Sequence, residues 1–247
     1  MRFPGRSPLP VHAGDLLLIL IVSLGSARLL GPLLISAFGD ALTGPPEGRT
    51  VATIALVLFL LTVQAAILLL AVYLVVVRWR GLDWGELGLV APERAWYPRA
   101  VVIALLTFPL VAAINLGLQA LHDQPLRNPQ LELLAPTGFS WWGLFGTLLV
   151  AGVFAPFVEE LVFRGLFYRW LRERIGFWGA VIISAFAFSV LHGIPGLIPA
   201  IAALGVVLAL IYEKSGSLWP AIVAHGTYNT VVTIGLYAAL AYGVGPG

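Results

Sequence analysis

The segment WGLFGTLLVAGVFAPFVEELVFRGLFY, residues 142–168, is a long apolar run that nevertheless contains Glu159, Glu160 and Arg164. A helix that crosses a bilayer needs about 20 predominantly apolar residues, and this segment supplies them. One charge at the centre of such a helix costs about 2.5–3.5 kcal/mol on insertion scales. Three charges are therefore expected to face a protein interior or a wet cavity and to have partners there. The segment predicts both a membrane fold and a polar site inside it.

The composition of the whole chain agrees with a membrane fold. Of 247 residues, 60% are hydrophobic and 11% are charged, and the mean hydropathy is +0.95, whereas a soluble domain carries about 25% charged residues. The chain has no cysteine, which excludes disulfides, thiolate metal sites and a cysteine nucleophile. No cluster of Lys and Arg with aromatic residues indicates a nucleic-acid partner, and no G-x-S-x-G motif indicates a serine nucleophile.

Apolar segments of near-membrane length recur along the chain and predict an all-α, polytopic transmembrane helix bundle of about seven to eight spanning helices. The seven spans are 16–38, 51–77, 100–121, 142–168, 177–194, 197–212 and 218–242. Division of the last span into two pieces would give eight. Because the sequence has no internal repeat and no low-complexity linker, we interpret residues 1–247 as a single membrane domain.

Basic residues indicate the orientation of these spans. Ten of the fourteen Lys and Arg residues lie in one alternating set of loops, which the positive-inside rule places in the cytoplasm together with the N-terminus. The architecture suits a bacterial inner membrane. Residues 1–28 also resemble a cleavable signal peptide, but the apolar run continues far enough to span uncleaved. The loop 82–100 is expected either to lie on the inner leaflet or to be an ordinary wet loop.

Helix spacing separates the two glutamates of the charged segment. Glu160 and Arg164 are i and i+4, in the order that favours an ion pair. Glu159 lies about 100° round the helix, in apolar surroundings and without such a neighbour. This difference suits Glu159 to be a general base and Glu160 to be a structural anchor. The alternative is that all three charges form a buried structural ion-pair network.

Two histidines, His192 and His225, also lie in apolar segments, and His225 shares a helix face with Asn229 at i+4. Glu159 precedes Ile175 by sixteen residues and His192 follows it by seventeen. In a helical hairpin that turns near Ile175, both side chains therefore lie about 25 Å from the turn. His225 fits the same layer if that hairpin protrudes into the cytoplasm.

These residue types carry recognisable chemistry. A carboxylate and an imidazole can activate a water, and an amide with a second imidazole can stabilise an oxyanion, which together suit peptide-bond hydrolysis. The set of Glu159, His192 and His225 could instead bind a divalent metal such as zinc. The H-E-x-x-H spacing is absent, so the sequence does not dictate a metal.

Three motifs in chain order resemble those of the CPBP family, the CAAX-protease and bacteriocin-processing (Abi) intramembrane endopeptidases. They are Glu159-Glu160-x-x-x-Arg164, Phe188-x-x-x-His192 and His225-x-x-x-Asn229. The resemblance covers about residues 140–235, the catalytic core of that family, and the earlier part of the chain resembles it only in being membrane helices.

The resemblance implies a role for each of the six polar residues. Glu159 and His192 would activate the attacking water, His225 and Asn229 would line the oxyanion site, and Glu160 and Arg164 would hold the shape of the site. It also implies a protein or prenylated peptide substrate, with either a metal-free glutamate mechanism or a metallo-type mechanism.

The leading interpretation is an intramembrane endopeptidase that acts on a peptide or protein substrate within the lipid bilayer, with a site open to the cytoplasm. The alternative is a non-catalytic membrane immunity or scaffold protein that retains the site. A proton-coupled transporter would place polar groups in both halves of an inverted repeat. Here they cluster in the second half, which disfavours a transporter.

Overall fold

A computed structural model describes residues 9–43, 51–122, 128–135 and 138–243, and in these ranges the chain is helical, without a strand. The helices are α1 (Ala13–Thr43), α2 (Val51–Val72), α3 (Trp96–His122), α4 (Pro129–Leu134), α5 (Trp141–Leu149), α6 (Ala155–Glu160), α7 (Arg169–Leu191), α8 (Ile198–Ser215) and α9 (Leu218–Ala241). Wider π-helical turns continue α2 (Tyr73–Trp79), join α5 to α6 (Val150–Phe154) and join α6 to α7 (Leu161–Tyr168).

Five helical segments in the described part of the chain are long and apolar enough to cross a membrane. They are Ala13–Leu30, Thr53–Trp79, Trp96–Leu121, Trp141–Leu191 and Pro195–Ser215. The fourth contains 51 residues, which is about the length of two crossings. Each of the seven predicted spans overlaps one of these segments or α9. The predicted all-α membrane bundle is confirmed.

The 51-residue segment is a helical hairpin with its turn at Gly176. The backbone there has φ 80° and ψ −175°, a conformation that a residue with a Cβ rarely adopts. The rings of Phe163 and Phe188, on the two arms, pack edge to face at 5.0 Å, as expected for antiparallel helices on either side of the turn. The turn predicted near Ile175 is therefore confirmed.

The loops that carry most of the basic residues meet at one end of the bundle. Their contacts there are Arg80 with Asp15 at 2.8 Å, Arg172 with Glu213 at 2.8 Å, the Tyr168 hydroxyl with Glu213 at 2.8 Å, and Arg169 with the Glu86 carbonyl. The basic residues Arg2, Arg6, Arg49 and Arg127, and the first part of the possible signal peptide, lie outside the described residues.

The first part of the loop that precedes α3 packs against this end of the bundle, and the position of residues 82–100 at the inner leaflet or in water stays a prediction. Leu87 is fully buried. The Leu218 amide donates to the Gly88 carbonyl at 2.8 Å, and the Ser217 hydroxyl donates to the Val90 carbonyl. The loop is thus hydrogen-bonded to the start of α9, which fixes where α9 enters the bundle.

Candidate active site

Glu160 is the centre of a buried polar network. Its carboxylate is fully buried, and Oε1 accepts hydrogen bonds from Arg164 Nη1 at 2.7 Å and from His225 Nδ1 at 2.8 Å. Arg164 is buried as well, and its Nη2 donates to the Gly205 carbonyl of α8 at 3.0 Å. The i,i+4 pair expected from the sequence therefore forms, and it also ties α6 to α8 and α9.

His225 stands between the two glutamates. A carboxylate paired with Arg164 only accepts hydrogen bonds, so His225 Nδ1 carries the hydrogen that is donated to Glu160. His225 Nε2 then lies 3.8 Å from Glu159 Oε2. The His225 side chain is 3% exposed and that of Glu159 is 31% exposed, so Glu159 lies at the accessible edge of the network.

His192 follows the last residue of α7, with its ring fixed by the backbone. Its Nδ1 lies 2.7 Å from the Phe188 carbonyl. Because a carbonyl can only accept, Nδ1 carries the hydrogen and Nε2 of the neutral ring keeps its lone pair. The buried Phe188 ring contacts the rings of His192 and His225 at 4.6 and 5.7 Å, and the Arg164 guanidinium lies 4.5 Å from its centroid. One aromatic side chain thus supports both imidazoles.

Asn229 lies one turn after His225 on α9, as the spacing predicted. Its Nδ2 donates to the Ala151 carbonyl at 2.8 Å. That bond requires the nitrogen to face Ala151, because a carbonyl cannot donate. An amide carries two N–H donors, and the bond to Ala151 uses one of them.

Two glycines allow α9 to come close enough for this bond. A Cβ placed on Gly226 would collide with the Gly152 carbonyl oxygen, and a Cβ placed on Gly152 would lie 3.0 Å from Thr230 Oγ1. Small residues of this kind let membrane helices approach closely. In the π-helical turn that contains Gly152, the Ala155 amide bonds the Val150 carbonyl and not the Ala151 carbonyl, its partner in a regular α-helix. Such turns are frequent at functional sites.

The structure brings Glu159, Glu160, Arg164 and His225 into one network. His192 joins it through Phe188, and Asn229 joins it through the packing of α9. In the described residues, no group of three or more His, Asp or Glu side chains is arranged to hold a metal ion. A divalent metal such as zinc held by Glu159, His192 and His225 therefore stays a prediction.

Sequence reasoning missed three partners of the site, namely the Gly205 and Ala151 carbonyls and the ring of Phe188. A glycine inside an apolar helix is the signal that could have indicated the first, because it often marks a close backbone approach. A Cβ on Gly205 would lie 3.0 Å from Ala185 Cα, so α7 and α8 do pack tightly at this point.

The chain is similar in sequence to a family of membrane endopeptidases. The chain is 30% identical over 87 residues to a Bacillus subtilis (strain 168) protein named "Putative membrane peptidase YdiL". The match covers 35% of this chain and 36% of that protein, so it spans about a third of the relative. No solved structure matches the chain significantly. Residues 140–231 match the family described as type II CAAX prenyl endopeptidase Rce1-like, which confirms the resemblance for the segment that contains all six site residues.

Proposed function

We propose that this chain is an intramembrane endopeptidase that hydrolyses a peptide bond of a protein or prenylated peptide. The observation that carries the proposal is the approach of Glu159 Oε2 to His225 Nε2 at 3.8 Å, with Glu160 behind the imidazole. A carboxylate at an accessible edge next to an oriented imidazole is suited to act on a water. The Rce1-like match and the peptidase relative support the same activity.

The distance between Glu159 Oε2 and His225 Nε2 suits a water that hydrogen-bonds to both. At 3.8 Å they are too far apart for a direct hydrogen bond. A water oxygen at about 2.8 Å from each atom would bridge them, with an angle near 85° at the water oxygen, which a distorted tetrahedral arrangement can accommodate. Glu159 is the group that removes a proton from this water.

The proposed reaction has two steps. Glu159 takes a proton from the water as the water oxygen attacks the scissile carbonyl carbon, which gives a tetrahedral intermediate with a negative oxygen. The same proton then passes to the leaving nitrogen as the C–N bond breaks, and Glu159 returns to its ionised form. When His225 is an imidazolium, its Nε2–H donates to the water oxygen. His192 Nε2, with its lone pair free, then accepts the second hydrogen of the water.

Donors for the oxyanion come from α9. The N–H of Asn229 that is not bonded to Ala151 is one such donor. His225 can be a second donor only as an imidazolium, because its Nδ1 hydrogen already goes to Glu160. Glu160 and Arg164 do not touch the substrate in this scheme. They orient His225 and balance the buried charge.

The site is proposed to open towards the cytoplasm of a bacterial cell, with the N-terminus on the same side. This orientation rests on the basic loops gathered at one end of the bundle. Because the chain has no cysteine, single cysteines introduced in these loops and labelled with a membrane-impermeant maleimide would test it directly.

The replacement Glu159→Gln tests the activity. It keeps size and removes the base, so we expect kcat for peptide cleavage to fall by about 10²–10⁴-fold, with the far-UV circular dichroism unchanged. Glu93→Gln, at an exposed position, is the matched control and should cleave normally. The substrates are one peptide carrying a prenylated C-terminal cysteine motif and the same peptide without the lipid.

The outcomes separate the two functional hypotheses. Cleavage by wild type that persists in Glu159→Gln would remove Glu159 from its role as the base. Folded wild type that cleaves neither peptide, nor any protein of a native membrane extract, would favour the non-catalytic immunity or scaffold protein. Cleavage of the lipidated peptide alone would identify a prenylated substrate.

A further inference from the structure

An open groove between α3 and α8 lies away from the candidate active site. It encloses about 660 Å³, a volume typical of small-molecule sites. Its walls are hydrocarbon or aromatic side chains, among them Val102, Val207 and Leu210. Both helices belong to segments that are long and apolar enough to cross a membrane, so the groove is positioned to face lipid.

Two cations lie at one end of this groove. Arg99 is in the first turns of α3 and Lys214 is in the last turn of α8, and both line the groove. The Arg99 guanidinium lies 5.7 Å from the ring centroid of Trp96. Its ion pair with Glu93 is loose, at 3.9 Å, with side chains 56% and 69% exposed, so solvent screens it and Arg99 remains free to bind another anion.

We propose that this groove binds an anionic phospholipid, with an acyl chain along the apolar wall and the phosphate between Arg99 and Lys214. The cations lie at the end of the bundle where the basic loops gather, the level of the headgroups on the cytoplasmic side. Trp96 beside them is the residue type enriched at that interface. Basic pockets between membrane helices on this side are known to hold anionic headgroups. Charge complementarity therefore selects an anionic lipid over a zwitterionic one.

Native mass spectrometry of the purified full chain in detergent tests the headgroup. Phosphatidylglycerol should be retained in preference to phosphatidylcholine. The double variant Arg99→Gln, Lys214→Gln should weaken phosphatidylglycerol binding by about thirtyfold, from the usual contribution of two basic residues at a membrane surface. The same double variant should leave the binding of phosphatidylcholine unchanged. The matched control is Arg78→Gln, Arg174→Gln, which removes the same charge from exposed positions that do not line the groove.

A second pair of variants tests the apolar wall. Val102 is 53% exposed and lines the groove, so Val102→Trp should obstruct it and weaken retention of both lipids. Leu106 lies one turn later on α3, is 68% exposed and does not line the groove, so Leu106→Trp should leave the retention of both lipids unchanged. Equal retention of the two lipids by wild type, or equal losses in a variant and its control, would overturn the proposal. Displacement of phosphatidylglycerol by a prenylated peptide, dependent on Arg99 and Lys214, would assign the groove to substrate instead.

Discussion

Removal of the Arg164 charge is the sharpest test of the buried network. Arg164 is 1% exposed and Glu160 is 0% exposed, and their atoms lie 2.7 Å apart. The replacement Arg164→Met keeps an apolar chain of similar length but leaves the Glu160 carboxylate buried, with the His225 imidazole as its remaining hydrogen-bond donor. Loss of one partner of a buried ion pair costs about 3–5 kcal/mol.

Three interactions of Arg164 contribute to this cost, and because they share one side chain their separate values are not additive. The charge-assisted hydrogen bond to Glu160 is worth about 1.5–3 kcal/mol and the bond to the Gly205 carbonyl about 1 kcal/mol. The Phe188 ring, 4.5 Å from the guanidinium, adds about 2 kcal/mol when it is desolvated. Only the part shared with Glu160 depends on the carboxylate. In the double variant Glu160→Gln, Arg164→Met, no charge is left unpaired. The loss of unfolding free energy in the double variant should therefore be about 2 kcal/mol smaller than the sum of the losses in the two single variants.

Equilibrium unfolding in mixed micelles with increasing SDS, followed by far-UV circular dichroism, measures all four members of this cycle. Glu159→Gln belongs in the same series, because its side chain is 31% exposed and its removal should change the free energy of unfolding by less than about 0.5 kcal/mol. Additive costs for the two replacements, within about 0.5 kcal/mol, would show that Glu160 and Arg164 are not one coupled unit. The reasoning from buried charge would then be wrong.

Three further predictions concern other parts of the site. Gly226→Ala places a Cβ against the Gly152 carbonyl, so it should lower the free energy of unfolding by about 1–3 kcal/mol and abolish most of the activity. Gly235 lies on the same helix with open space around it, so the control Gly235→Ala should leave both unchanged. Asn229→Ala should lower kcat by about 10²–10³-fold with little change in KM; a change confined to KM would reduce Asn229 to substrate binding. Activity should survive exhaustive chelation, with no metal found by elemental analysis, since the described residues form no metal-holding group; loss of activity that zinc restores would favour the metallo-type mechanism.

Local features of the site could be predicted from the sequence because they depend on helix geometry alone. The Glu160–Arg164 pair and the shared face of His225 and Asn229 follow from the i,i+4 spacing. The hairpin turn follows from a glycine between two apolar runs. In each case the partners lie within one helix or on either side of one turn, so no knowledge of the packing of other helices is needed.

The contacts between distant helices could not be predicted in the same way. Depth counting placed Glu159 level with His192 and matched His225 less well, yet His225 is the imidazole within 3.8 Å of Glu159. The hairpin protrudes: Tyr168 bonds Glu213 near the end of α8, so Gly176, eight residues further on, lies about 12 Å beyond that level. This protrusion is the condition under which the sequence predicts His225 in the same layer as Glu159 and His192.

The site residues and the groups that contact them all lie in the C-terminal part of the chain. Besides the six polar residues, the Ala151 and Gly205 carbonyls and the Phe188 ring all fall within 140–231, the segment that matches the Rce1-like model. A site whose side chains and supporting carbonyls come from one segment needs only packing from the rest of the chain. The contact of Phe108 on α3 with Tyr228 on α9, at 6.1 Å between ring centroids, is of that kind. Substitutions in α1–α3 should therefore alter stability and lipid binding before they alter the chemistry.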